Sequence, residues 1–160
     1  MRKYLYWLLP LGWMVIIFRS SATPYENQDI KPLMEELPVD LSFLEPLLDW
    51  ISFTYHRSVV SVDALGMWGF IEFFLRKGAH IGVFFLLVCL FYRALRKAPG
   101  LGEWTSVALS FFLTVAYAIA DEIHQGFTPG RTPYAGDVIL DSFGALLAVV
   151  CLLIFRRWKS

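Results

Sequence analysis

Val138-Ile-Leu-Asp141-Ser-Phe-Gly144-Ala-Leu-Leu-Ala-Val-Val-Cys151-Leu-Leu-Ile-Phe155 is 18 residues long, holds a single charged side chain, and runs directly into Arg156 and Arg157. A bilayer core takes about 20 helical residues, so this stretch reads as a membrane span with a carboxylate one turn inside one end and cations at the other. Three earlier apolar runs have the same character: Tyr4 to Phe18 between Arg2-Lys3 and Arg19, Gly78 to Tyr92 between Arg76-Lys77 and Arg93, and Trp104 to Ala120 ending at Asp121-Glu122. The whole chain agrees with its parts. Its 160 residues are 57% hydrophobic and 18% charged, with mean hydropathy +0.54, whereas average globular chains are roughly 45–50% apolar and about 25% charged. The expectation is an all-α fold: a four-helix transmembrane bundle forming one membrane domain over residues 1–160. The spans fall at about 4–20, 76–95, 104–121 and 137–155, with an outer amphipathic helical segment over about 21–63.

Fourteen basic and fourteen acidic side chains cancel, which excludes a globally basic nucleic-acid binder. The zero conceals an asymmetry. With both termini cytoplasmic, Arg2, Lys3, Arg93, Arg96, Lys97, Arg156, Arg157 and Lys159 face the cytoplasm against one acid, Glu103, while residues 19–77 and 121–137 hold six cations and twelve acids. Basic residues near span ends are retained inside, so this orientation is preferred over its inverse. The first run also resembles a cleavable signal, with Ser20-Ser21-Ala22 as the cleavage region. Arg19 and Pro24 argue against cleavage, and retention is expected.

Cys89 and Cys151 both lie in apolar runs without a CxxC or Cys/His companion, and read as small buried hydrophobes rather than a disulfide or zinc pair. Between the first two spans, Leu41, Leu44, Leu47, Leu48 and Ile51 recur at three- and four-residue intervals, predicting an amphipathic helix shortened by Pro38 and Pro46. Asp63 is the expected N-cap of a lead-in helix over Ala64 to Phe74. Met67, Trp68, Phe70, Phe73 and Phe74 are expected as interfacial anchors. No internal repeat, P-loop or dinucleotide fingerprint occurs, and no cofactor is expected.

The polar residues converge at one depth. Span two begins with Arg76, Lys77 and His80; span three ends with Asp121, Glu122, His124 and Gln125; span four begins with Asp137 and Asp141; Arg131 lies in the loop between the last two. Side chains of this kind at a membrane boundary are costly unless they face the bundle interior and find partners. Lys77, His80, Asp121, Glu122, Gln125, Arg131, Asp137 and Asp141 are therefore the candidates for a polar network or ligand site. Each also has a structural reading. Arg76 is expected to snorkel to headgroups, and His124 to lie at the surface. Asp121 and Glu122 oppose the helix dipole and call for a compensating cation, for which Arg131, Lys77 and His80 qualify. Gly144 would allow close helix approach. Pro129-Gly130 favours a tight turn that presents Arg131, either as a lock on Glu122 or Asp137, the favoured reading, or as a receptor for an anionic lipid.

Arg76-Lys77-Gly78-Ala79-His80, then Asp121-Glu122-Ile-His-Gln125 followed by Pro129-Gly130-Arg131, and finally Asp137-Val-Ile-Leu-Asp141-Ser-Phe-Gly144, resemble the VanZ-like family of bacterial membrane proteins. Ile16-Ile17-Phe18-Arg19-Ser20-Ser21 also resembles that family's first span, which supports its retention. The resemblance implies characteristic polar positions at Lys77, His80, Glu122, Gln125, Arg131 and Asp137, and it implies that Asn is common at the position of Asp141. The family's namesake is associated with resistance to teicoplanin, a lipid-tailed glycopeptide. Three functional classes follow. The first, preferred, is an envelope protein that binds a lipid-linked cell-wall intermediate or lipoglycopeptide. The second is an intramembrane enzyme with a His/carboxylate centre, acting on an envelope lipid. The third is a structural partner of another membrane protein. Membrane lipids are expected partners in any of them. No HExxH or similar close ligand pair occurs, so no metal is assigned.

Overall fold

The computed structural model describes residues 2–24, 28, 30–36 and 38–158. Lys159 and the outer acids Glu26 and Asp29, used in the charge count, lie outside the described residues. Three helices are long and apolar enough to cross a membrane: α5 (Val62–Lys97), α6 (Glu103–Gln125) and α7 (Ala135–Arg157). The expected first span differs. It is divided into α1 (Arg2–Leu5) and α2 (Leu8–Ser21), and the 14 residues of α2 rise only about 21 Å, short of the roughly 30 Å hydrocarbon core. The division has a local cause. Pro10 would clash with the carbonyl of Tyr6 in a continuous helix, and the chain turns at Tyr6-Trp7 instead. The four-span bundle is thus three spanning helices and one shorter apolar helix.

The chain forms two compact units, Met1–Pro24 with Ala79–Ser160, and Tyr25–Gly78. In the first, α6 and α7 are apolar outside and polar or small inside. Along α6 the buried stripe is Ser106, Val107, Ser110, Thr114, Ala118, Asp121, Glu122 and Gln125, whereas Phe112, Leu113, Ile119 and Ile123 are exposed. Asp141, Gly144, Ala145 and Ala148 form the equivalent stripe of α7, and Ile139, Phe143, Leu146 and Val150 face outward. Small inner faces and apolar outer faces suit helices that pack against one another in lipid. The chain is a membrane protein. A Cβ placed on Gly144 would collide with the backbone of Ile81, so the glycine sets the spacing of α5 and α7, as anticipated.

α2 is fastened to this unit by directed bonds as well as by Ile17 in the Phe84, Leu87, Phe91 and Ala118 core. Trp13 Nε1 donates to the Val83 carbonyl at 3.1 Å and Tyr117 Oη to the Met14 carbonyl at 2.6 Å. Cys89 packs on the Val88, Ala145 and Ala148 core, and both cysteines are free thiols. At the α7 C-terminus, Arg156 lies 3.6 Å from Glu103 and over the Trp104 ring.

The second unit departs most from expectation. The predicted amphipathic helix over Leu41 to Ile51 is reduced to a 3-10 turn (Ser42–Leu44) and the single turn α4 (Glu45–Leu48), preceded by α3 (Lys31–Glu35). Starting the helix at Glu45 puts Pro46 in the first turn, where no intrahelical N–H is needed. The chain then makes an antiparallel hairpin, β1 (Phe53–Tyr55) with β2 (Ser58–Val60), pairing Phe53 with Val60. His56 and Arg57, both at positive φ, form its two-residue loop, the backbone signature of a turn whose twist matches that of the strands. Leu48 and Ile51 pack on Val60, Val62 and Phe70, while Phe43, Leu47 and Trp50 are exposed. Met67, Phe70 and Phe73 pack into this core. The helix cap is Ser61, whose Oγ accepts the Ala64 N–H at 3.1 Å; Asp63, the expected cap, sits inside the first turn. Gly66, at φ 70°, interrupts α5 one turn later.

Candidate functional site

The C-terminal ends of α2 and α6 meet the beginning of α7 and the His80 region of α5. α6 delivers Asp121 and Glu122 as neighbours in its inner stripe, and Gln125 one turn beyond Asp121. Asp121 Oδ2 accepts from Ser21 Oγ at 2.7 Å and from Gln125 Nε2 at 2.9 Å. Gln125 Oε1 accepts from Arg131 Nη1 at 3.0 Å. The Gln125 amide thus joins a carboxylate to a guanidinium, donating with one end and accepting with the other. Glu122 Oε1 accepts the Tyr134 N–H, satisfying a backbone donor at the entry to α7 that has no intrahelical acceptor. At the same end of the unit, His80 Nδ1 lies 3.1 Å from Asp141 Oδ1, and Asp141 is 1% exposed.

The 126–134 loop is shaped for this arrangement. Pro129 and Gly130, the latter at φ 75°, occupy the centre of a turn closed by the Arg131 N–H to Thr128 carbonyl bond at 3.2 Å. Proline first and glycine second is the pattern of a type II turn. Gly126 leaves room for the Pro133 ring. Thr128, buried, donates to the Ser21 carbonyl at 3.2 Å and so caps one of the orphan carbonyls of α2.

Seven of the eight residues anticipated from sequence lie in this unit. Asp121, Gln125 and Arg131 are linked to one another through hydrogen bonds, as are His80 and Asp141. Asp137 stands in the first turn of α7, where the helix dipole favours an acid. Lys77 belongs to the second unit, its ammonium 4.4 Å from the centre of the Tyr55 ring. Arg131 donates to Gln125 Oε1, and Ser21, Gln125 and the Tyr134 N–H donate to the two carboxylates. His124 stacks on Phe18 with ring centres 4.0 Å apart instead of lying free at the surface. Ser21 and Thr128 were not anticipated, and the only local signal for either was a hydroxyl at a helix end.

Among the described residues, two carboxylate oxygens are buried without a hydrogen-bond partner, Asp121 Oδ1 and Glu122 Oε2. Buried acceptors are ordinarily satisfied, and an orphaned oxygen on a carboxylate is a strong acceptor for a donor-bearing ligand. Among the described residues, no group of three or more His, Cys, Asp and Glu side chains is arranged to hold a metal ion.

No curated protein and no solved structure matches the chain. The VanZ/LLP1 family model matches residues 6–156, a range that takes in α2, α5, α6, α7 up to Arg156 and every residue of the network above. The chain belongs to the VanZ/LLP1 family.

Proposed function

We propose that the protein is a bacterial envelope component that binds the donor-rich headgroup of a lipid-tailed molecule, a lipid-linked cell-wall intermediate or a lipoglycopeptide, and by doing so contributes to teicoplanin-type resistance. The supporting observation is the pair of unpartnered carboxylate oxygens, Asp121 Oδ1 and Glu122 Oε2. Sugar hydroxyls, amides and amines are the donors such oxygens accept, and a lipid tail suits the apolar outer faces of the helices. In this reading the acidic end faces outward and both termini are cytoplasmic, following the distribution of basic residues.

Asp121→Asn and Glu122→Gln test the reading selectively. Each amide can keep the internally bonded oxygen as an acceptor while replacing the orphaned oxygen by an NH2 donor. A lost hydrogen bond to a charged group is worth about 1.5–3 kcal/mol, so each variant should bind teicoplanin or a purified lipid-linked cell-wall precursor roughly tenfold or more weakly and lose protection, at normal abundance. Folded variants with wild-type binding and protection overturn it.

A second reading rests on the His80–Asp141 pair. A carboxylate on Nδ1 orients an imidazole so that Nε2 serves as a general base, which an intramembrane enzyme acting on an envelope lipid would use. Turnover of an envelope lipid that disappears in His80→Ala would move this reading to first place.

A further inference from the structure

The second unit, Tyr25–Gly78, contains the beginning of α5, and its other elements are fastened to that helix just ahead of its uninterrupted apolar run. α3 is tied through Glu72, whose Oε1 accepts from Arg76 Nη2 and whose Oε2 lies 3.9 Å from Lys31 Nζ. The hairpin is tied by rings. Phe53 meets Phe73 and Phe74 edge-on, with 5.9 and 6.3 Å between ring centres, Tyr55 meets Phe73 at 5.4 Å, and the Lys77 ammonium lies over Tyr55. Lys77 is the last Lys, Arg, Asp or Glu before the run Gly78 to Tyr92. A lysine in that position keeps its ammonium at headgroup level while its stem lies along apolar surface. Phe53 and Tyr55, two residues apart on one strand face, therefore stand at the depth where α5 enters lipid.

Beside this contact the chain turns apolar side chains outward. Leu48 and Ile51 pack inward on Val60, Val62 and Phe70, but Phe43, Leu47 and Trp50 are 67%, 64% and 80% exposed. Their four- and three-residue spacing puts them on one face of a helical turn. A single exposed apolar residue is ordinary, whereas a row of large ones marks an interaction surface. Phe53, three residues after Trp50, is also exposed, as are Phe74 and Leu75 on α5, so exposed apolar surface continues from β1 onto a helix long and apolar enough to cross the membrane.

Two details fit this row to lipid. Trp50 Nε1 donates to the Leu47 carbonyl at 2.7 Å, which satisfies the one donor of the indole and lets the ring leave water without stranding it. Residues 41–50 contain Glu45 and Asp49 but no Lys or Arg, so apolar burial, and not attraction to anionic headgroups, would drive the contact.

We infer that Phe43, Leu47, Trp50 and Phe53 form an anchor that beds into the interfacial layer of the bilayer beside the point where α5 enters it. The face is occupied by lipid rather than by another protein, because its segment is joined at both ends to apolar helices, α2 and α5, and its exposed apolar surface runs onto the second of them. Trp, Phe and Leu are the residues that line the buried face of such interfacial elements. The anchor is independent of what the Asp121 and Glu122 carboxylates bind.

The test uses the full chain with Cys89 and Cys151 replaced by Ala, held in phosphatidylcholine nanodiscs and carrying a fluorophore on a cysteine introduced by Trp50→Cys or, with the tryptophan kept, by Leu47→Cys. Phosphatidylcholine brominated high on its acyl chains should quench about half of the emission at either position, and aqueous iodide little of it. Strong quenching by iodide with no effect of the brominated lipid overturns the proposal. Protection from both quenchers overturns it equally, since protein would then cover the face. Where the two positions differ, Leu47→Cys decides, because it leaves Trp50 in place.

Discussion

At the scale of single residues, Asp141 shows what a sequence anomaly is worth. One carboxylate in an apolar run of helix drew attention by its expense, and the structure supplies the partner, His80 Nδ1 at 3.1 Å. The pair sets a prediction. Asp141→Asn retains an oxygen that accepts from Nδ1–H and should leave thermal stability within about 1 kcal/mol of wild type, whereas Asp141→Leu strands the imidazole and should cost about 1–3 kcal/mol. Unfolding curves in detergent decide it; equal damage from both would mean that the charge itself is required. Ser21 and Glu72 illustrate the opposite case. Ser21 meets Asp121 across 100 residues of chain, and no local pattern encodes such a meeting. Glu72 was passed over inside an aromatic run, although its spacing to Arg76 was a legible signal.

At the scale of elements, periodicity identified α5, α6 and α7 because a spanning helix must be long and apolar along its own length. It failed for the first helix and for the outer segment, where proline decides. Pro10 breaks one helix, and Pro46 confines the other to a turn. The hairpin over Phe53 to Val60 carries β-branched and aromatic residues, yet its His56-Arg57 loop lacks the Asn-Gly or Gly signals by which such turns are recognised, and so it was missed. Packing of elements yields its own prediction. Gly144→Ala forces a methyl into the Ile81 backbone and should destabilise the protein by about 1–3 kcal/mol. Gly82→Ala, whose Cβ would meet nothing within 4 Å, is the control and should be near neutral. Comparable melting temperatures for the two variants would show that α5 and α7 can separate freely.

For the whole molecule, orientation is the property most open to direct measurement. In a chain with Cys89 and Cys151 replaced by Ala, a cysteine at the exposed Phe127 should react with an impermeant reagent added outside, and one at the exposed Trp158 only after the membrane is opened; the reverse pattern inverts the proposed topology. The sequence by itself determined that the chain belongs in a membrane, that the runs in α5, α6 and α7 are long and apolar enough to cross it, and that polar residues gather at helix ends. These depend on composition and spacing along the chain, quantities that lipid selects one segment at a time. Only the tertiary structure decided that Gln125 joins Asp121 to Arg131, that Asp141 holds His80, that the loop caps α2, and that Lys31 reaches Glu72. The reason is physical: a buried polar group must be satisfied, but which of several donors satisfies it depends on where distant segments are brought together by packing.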